Sequence, residues 1–170
     1  MNDDVDIDID PIELTVKNWE DMGWKAGNHL RAAMSIVRAE QILNRHGSAI
    51  LKPYGVRYTR HNVLILLYFT KRGQMPLGRI SEHLLVHPAS ITAAVDALEK
   101  DGYIERIPHP TDRRATLAAI TPAGREVVVR STTALADAHP FGLEGLTDDE
   151  ARTLFELIRK VRIAAGDLPA

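Results

Sequence analysis

Asp112, Arg113 and Arg114 have the types and spacing to do chemistry with an anion. They follow "HPT" (109–111), which with Asp112 supplies turn chemistry, so two adjacent guanidinium groups are expected at the tip of a hairpin, where packing cannot use them. A tip of that kind reaches toward something negatively charged. A second constellation lies in "EHLLVH" (82–87), where His83 and His87 stand four apart, a metal-ligand spacing. The glutamate precedes the first histidine, so the zinc-protease pattern is absent, and His87 falls at a helix entry, where a polar residue needs no metal to account for it. No glycine-rich phosphate loop, Gly-x-Ser-x-Gly elbow or catalytic dyad is present, and the acids are scattered. The chain also lacks cysteine, which removes disulfides, thiolate metal sites, cysteine nucleophiles and thiol redox switching together. The reading is a binding protein with no catalytic residue, cofactor or metal; a small metal enzyme using His83 and His87 is the alternative from another class.

The elements that must position these residues follow from composition and pattern. With 170 residues, 45% apolar and 26% charged, the chain can bury one good core. No run is apolar for the roughly 18 residues a membrane span needs, and the first residues are acidic where a signal peptide would be basic, so a cytoplasmic location is expected. The net charge of −2 conceals an asymmetry: residues 1–13 hold six acids and no base, whereas residues 52–130 hold 12 Lys and Arg against 7 Asp and Glu. A basic middle between acidic ends fits an anion-binding module.

Helices are expected nearly everywhere outside the hairpin. "DPIE" (10–13) gives an Asp cap, a Pro at the first helical position and a Glu in the first turn. A break at Gly23 precedes a longer helix from Trp24 that "LKPYG" (51–55) stops. Thr59 is expected to cap "RHNVLILLYFTKR" (60–72), whose middle is apolar almost all round and therefore buried. A short helix over 76–86, a helix opened by Pro88 and closed by Gly102, and two C-terminal helices capped by Thr121 and by the Thr147–Glu150 capping box complete the set. "YIERI" (103–107) and "ATLAAIT" (115–121) are the arms of the hairpin. Helix, short helix, tight turn and helix followed by a two-stranded wing is the layout of a winged helix-turn-helix.

The residues carrying that layout resemble the MarR family of bacterial transcriptional regulators. In "SITAAVDALEKDGYIERIPHPTDRRATLAAITPAGREV" (90–127), Leu98-Glu99-Lys100-Asp101-Gly102 is similar to the end of the family's recognition helix. Asp112-Arg113-Arg114 is similar to its Asp-x-Arg wing, and Ile120-Thr121-Pro122-Ala123-Gly124 to its exit. The chain departs from the family pattern at Leu85, Ala93 and Ala97. The expected fold is mostly α with a small β-wing, a winged helix-turn-helix core flanked by N- and C-terminal dimerisation helices. Its expected parts are an acidic, disordered tail (1–10), N-terminal helices (11–55), the DNA-binding core (56–121) and C-terminal helices (122–170).

The site residues follow from that placement. Ile91, Ala94, Val95 and Leu98 share one face of the 88–101 helix, leaving Ala89 and Ala93, flanked by Ser90 and Thr92, to face a DNA groove. Hydroxyls there reach base edges and alanines touch thymine methyls. Arg113 and Arg114 are expected on DNA, with the resemblance implying that Asp112 orients a guanidinium toward the minor groove; Arg79 and Arg106 are further phosphate candidates. The two-fold operator calls for a homodimer, and Leu154, Leu157, Ile158 and Val161, with Trp19 and Trp24, are the expected interface. The resemblance implies a repressor released from double-stranded DNA by a small aromatic or phenolic effector. His29, Met34, Tyr58, His61 and Tyr68 are the candidate lining, and Arg60 the partner for a carboxylate; a DNA-binding dimer with no effector is the rival reading.

Overall fold

Asp10 opens the first helix: its carboxylate accepts the Ile12 N–H at 2.8 Å, with Pro11 at the first helical position. In the computed structural model, which describes residues 9–112, 115–138 and 141–169, this helix is α1, Pro11–Asp21. The chain divides into two units, Met1–Arg45 and His46–Ala170. In the first, α1 buries Ile12 and Val16, and Arg31 pairs with Glu13 at 3.0 Å. Trp19 and Trp24 meet edge to face with ring centroids 5.6 Å apart. Helix α2 is Asn28–Leu51, beginning four residues later than the Trp24 start expected, because Gly27 takes a φ of 148°, which a helix cannot include. Most of the expected acidic tail, residues 1–8, lies outside the described residues.

In the second unit, a 3-10 turn, Lys52–Tyr54, follows the end of α2 and leads into α3, Tyr58–Phe69. Thr59 does not cap this helix. Arg57 holds the cap position in extended backbone with no side-chain hydrogen bond, its carbonyl takes the His61 N–H at 2.9 Å, and Thr59 falls inside the first turn. The expected burial is met, since Val63, Leu64 and Leu67 are inaccessible to solvent. Strand β1, Gln74–Pro76, precedes α4, Leu77–Leu84, and α5, Pro88–Lys100. Strands β2, Ile104–Pro108, and β3, Thr116–Ile120, form the wing. The sheet has three strands in the order β1-β3-β2, all antiparallel, where the sequence pattern suggested a two-stranded wing. Gln74 pairs with Ala119, so the segment before α4 is stitched to the wing.

Helix α6, Pro122–Asp137, is capped by Thr121, whose Oγ1 accepts the Gly124 N–H at 3.1 Å. Gly124 admits no side chain, because a Cβ there would stand 2.1 Å from the Tyr103 carbonyl oxygen. Helix α7, Asp148–Ala164, opens with the expected capping box between Thr147 and Glu150 and buries no residue. The core joins α3, α4, α5, the sheet and α6 through Leu64, Leu67, Ile80, Ile91, Leu98, Ile104 and Val128, each fully or nearly fully buried. A side chain of that size contributes about 1.5–3 kcal/mol by leaving water. No helix among the described residues is long and apolar enough to cross a membrane.

Candidate nucleic-acid interface

Helix α4 ends because Leu85 adopts the left-handed conformation, φ 51° and ψ 38°, and turns the chain toward α5. Ser81 fixes this turn from inside, donating its hydroxyl to the Val86 carbonyl at 2.6 Å and accepting the Val86 N–H on its own carbonyl at 3.2 Å. His87 then caps α5: its Nδ1 accepts the Ala89 N–H at 3.2 Å, and Pro88 occupies the first helical position. The break at Leu85 takes His83 and His87 off a common helix face, so their spacing does not form the metal-ligand geometry of an uninterrupted helix.

Helix α5 buries Ile91, Ala94, Val95 and Leu98 and exposes Ala89, Ser90, Thr92 and Ala93, as the sequence pattern requires. Its outer surface near the N-terminus is therefore built of short side chains that allow close approach of a groove. Thr92 donates its hydroxyl to the Pro88 carbonyl at 3.0 Å, which leaves its oxygen lone pairs and its methyl group facing outward. At the other end, Asp101 pairs with Arg60 of α3 at 2.9 Å, tying the helix to the core. That pair is partly exposed and contributes at most about 1 kcal/mol.

The wing is organised by a residue whose part was not legible beforehand. His109 N–H donates to the Ala115 carbonyl at 3.2 Å, and its ring Nδ1 lies 3.1 Å from the Asp112 N–H and 3.4 Å from that of Thr111. The imidazole thus folds the tip as an Asn or Asp side chain would. Asp112 stands exposed at that tip. Arg113 and Arg114 lie outside the described residues.

Two other arginine candidates are already engaged. Arg79 on α4 pairs with Glu82 at 2.9 Å while remaining largely exposed. Arg106 on β2 faces two carboxylates of α5, pairing with Asp96 at 2.5 Å and with Glu99, and its N–H donates to Glu99 Oε1 at 3.1 Å. These hydrogen bonds outweigh burial and raise the Arg106 pKa above its ordinary value. Asp96 and Glu99 were not among the site residues read from sequence, since nothing in their spacing pairs them with a strand residue.

The effector candidates divide. His29 and Met34 belong to the first unit, where Met34 lines a groove of about 390 Å³ between α1 and α2 with Ile12, Thr15 and Val37. In the second unit, Tyr68 lines a groove of about 230 Å³ with Phe69, Val128, Val129 and Thr132. His61 does not line that groove but touches one of its residues: it is buried, with Nε2 3.1 Å from Thr132 Oγ1 and no hydrogen-bond partner for Nδ1, and its burial lowers its pKa. Tyr58 instead lies against Gly47, and Arg60 lines a separate cleft with Ser48, Lys52 and Arg57.

A short helix, a tight turn, a helix with a small-residue outer face and a three-stranded wing define a winged helix-turn-helix DNA-binding protein. The MarR family profile matches residues 58–116, from the start of α3 to the start of β3. The HTH-type transcriptional regulator YkoM of Bacillus subtilis is 33% identical over 133 residues, covering 77% of this chain and 84% of the relative. The structure of Sco5413, a MarR family transcriptional regulator from Streptomyces coelicolor, matches with a TM-score of 0.76 and 42% identity over 84% of this chain and 98% of that one. Sco3205, a MarR family regulator from the same organism solved in complex with DNA, matches with a TM-score of 0.73 and 25% identity over 86% and 96%. The chain belongs to the MarR family of transcriptional regulators. Family members are regulators and not enzymes, which sets aside the metal-enzyme alternative.

Proposed function

We propose that this chain is a cytoplasmic homodimeric repressor that binds a two-fold operator and is released by a small aromatic anion. The observation that carries operator binding is the outer face of α5, where Ala89, Ser90, Thr92 and Ala93 stand exposed on a helix anchored by four buried residues. In this reading that face enters the major groove, Asp112, Arg113 and Arg114 reach the adjacent minor groove, and Arg79 meets a phosphate. Dimerisation is supported by α7, whose Leu154, Phe155, Leu157 and Val161 are all exposed on a helix that has no fully buried residue. The effector reading is supported by the groove beside Tyr68, lined otherwise by Ile65, Phe69, Val128, Val129 and Ala136 with Thr132 and Thr133, where Thr132 also meets His61 Nε2.

Footprinting is expected to show half-sites about one helical turn apart. Affinity falls as salt rises, by about 0.9 in the log–log slope for each phosphate contact. Arg114→Ala costs about 1–3 kcal/mol if its contact specifies a base step. A double Arg113→Ala, Arg114→Ala chain that binds as tightly as the parent refutes the wing's part. For the effector, DNA affinity is measured with and without salicylate. A ligand that prefers the DNA-incompetent state 100-fold weakens DNA binding by at most about 2.7 kcal/mol, and the operator weakens ligand binding by the same factor. Equal salicylate affinity in the free and DNA-bound states removes that compound as effector.

A further inference from the structure

Arg106 was a candidate phosphate contact in the sequence, and its surroundings give it other work. Its guanidinium sits between Asp96 and Glu99, and its side chain is 26% exposed against 60% and 40% for the two acids. Both acids lie on exposed positions of α5, Asp96 one turn beyond Ala93 and Thr92. Left alone, two carboxylates there would face incoming phosphates and repel them. A guanidinium that swung out to a phosphate would abandon both. The same residue also bonds Glu99 through its backbone N–H, so β2 and the C-terminal half of α5 are joined at three points.

We infer that Arg106 is a positioning residue for DNA selection, a clamp that fixes the angle between the recognition helix and the wing and neutralises Asp96 and Glu99, without itself contacting DNA. The inference rests on the proposed entry of α5 into the major groove. A clamp of this kind acts on register. It leaves the number of phosphate contacts unchanged while deciding whether α5 and the wing engage their two grooves together, so its removal erodes the difference between right and wrong sequences.

The test uses the full chain, a duplex of about 30 base pairs selected by the parent protein from a random pool, and an unselected duplex of the same length. Arg106→Ala is expected to lower the preference for the selected duplex about ten-fold while the salt slope on it stays that of the parent. The Asp96→Asn, Glu99→Gln pair should lose preference to the same degree, and adding Arg106→Ala to that pair should lose no more, because all three act as one unit. Arg106→Lys keeps the charge without spanning both acids, and is expected to restore part of the preference; it also serves if the alanine variant does not fold. A slope reduced by about 0.9 per subunit, with both duplexes weakened alike, would show a phosphate contact and overturn the inference. Retained preference in the Asn/Gln pair overturns it too. Ala93→Glu separates the two readings: if that chain keeps the parent's preference, α5 is not in the groove and both fall, whereas loss there with none in Arg106→Ala overturns the clamp alone.

Discussion

Replacing Leu85 by glycine should stabilise the protein relative to replacing it by alanine, the reverse of the usual order. At φ 51° and ψ 38° the residue sits in the left-handed region, where an L-side chain costs about 1–2 kcal/mol and glycine almost nothing. Glycine gives back about 0.4–1 kcal/mol through the greater freedom of its unfolded chain. The difference favours Leu85→Gly over Leu85→Ala by about 1 kcal/mol. Leu85 is 79% exposed, so only about a fifth of its surface is buried to begin with, and losing it costs either variant roughly 0.5 kcal/mol. Leu85→Gly itself should therefore stand close to the parent or slightly above it. Urea unfolding at one fixed protein concentration checks this, since assembly raises apparent stability with concentration. In a thermal melt the Gly–Ala gap corresponds to about 2–4 °C. An alanine variant equal to or more stable than the glycine variant would show that the turn stores no strain.

Gly124→Ala should destabilise by about 1–3 kcal/mol or more, since its Cβ would meet the Tyr103 carbonyl at 2.1 Å and backbone cannot yield cheaply; chemical denaturation measures it. His61 predicts an acid sensitivity. Burial depresses its folded-state pKa below the ordinary value of about 6.5, so the stability of the neutral ring is complete above that pH and is lost as pH falls through the folded value. His61→Gln should flatten the midpoint-versus-pH curve below about pH 6.5, and an unchanged curve would place the sensitivity elsewhere. At the wing, His109→Ala should speed amide exchange at Thr111 and Asp112, while His109→Asn, which keeps an acceptor, should restore much of the protection; equal exchange in both variants would remove the ring from the turn's design.

Local signals were the legible ones. Asp10-Pro11, Thr121-Pro122 and the Thr147–Glu150 box each act within one turn of helix, and each marks a helix start in the structure. The alternation of buried Ile91, Ala94, Val95 and Leu98 with an exposed face followed from helical period alone. Thr59 misled because the cap is decided by where the backbone turns, and it turns at Arg57. Strand β1 holds three residues and ends in a proline, too little for an alternating pattern, and it exists because β3 offers it a partner. The same holds at the interface. Arg60 and Asp101 are 41 residues apart, and Arg106 meets acids seven and ten positions earlier on a different element, so neither pairing has a sequence period to betray it. The His109 ring was read as one turn former among several, since composition does not say which atom accepts.

The strand order carries a consequence for how this chain folds and comes apart. Because Gln74 pairs with Ala119, the stretch holding α4, the turn, α5 and β2 is a loop of about 45 residues whose two ends are fastened to each other. Helices form from near neighbours in about a microsecond, but this fastening must wait until the whole loop has been gathered in. The pairing of β1 with β3 is therefore a late event in assembly, and it closes a ring around α5. On the way out the order reverses. The near side of the ring is held by the short pairing of β1 and by the Ile120 N–H donated to the Gly73 carbonyl at 2.8 Å, so the cheapest sub-global opening frees the wing and the entry to α4 together while Leu64, Leu67 and Leu98 stay packed. Native-state amide exchange should then find β1 and its partners on β3 opening as one unit, at a free energy below that of the helical core.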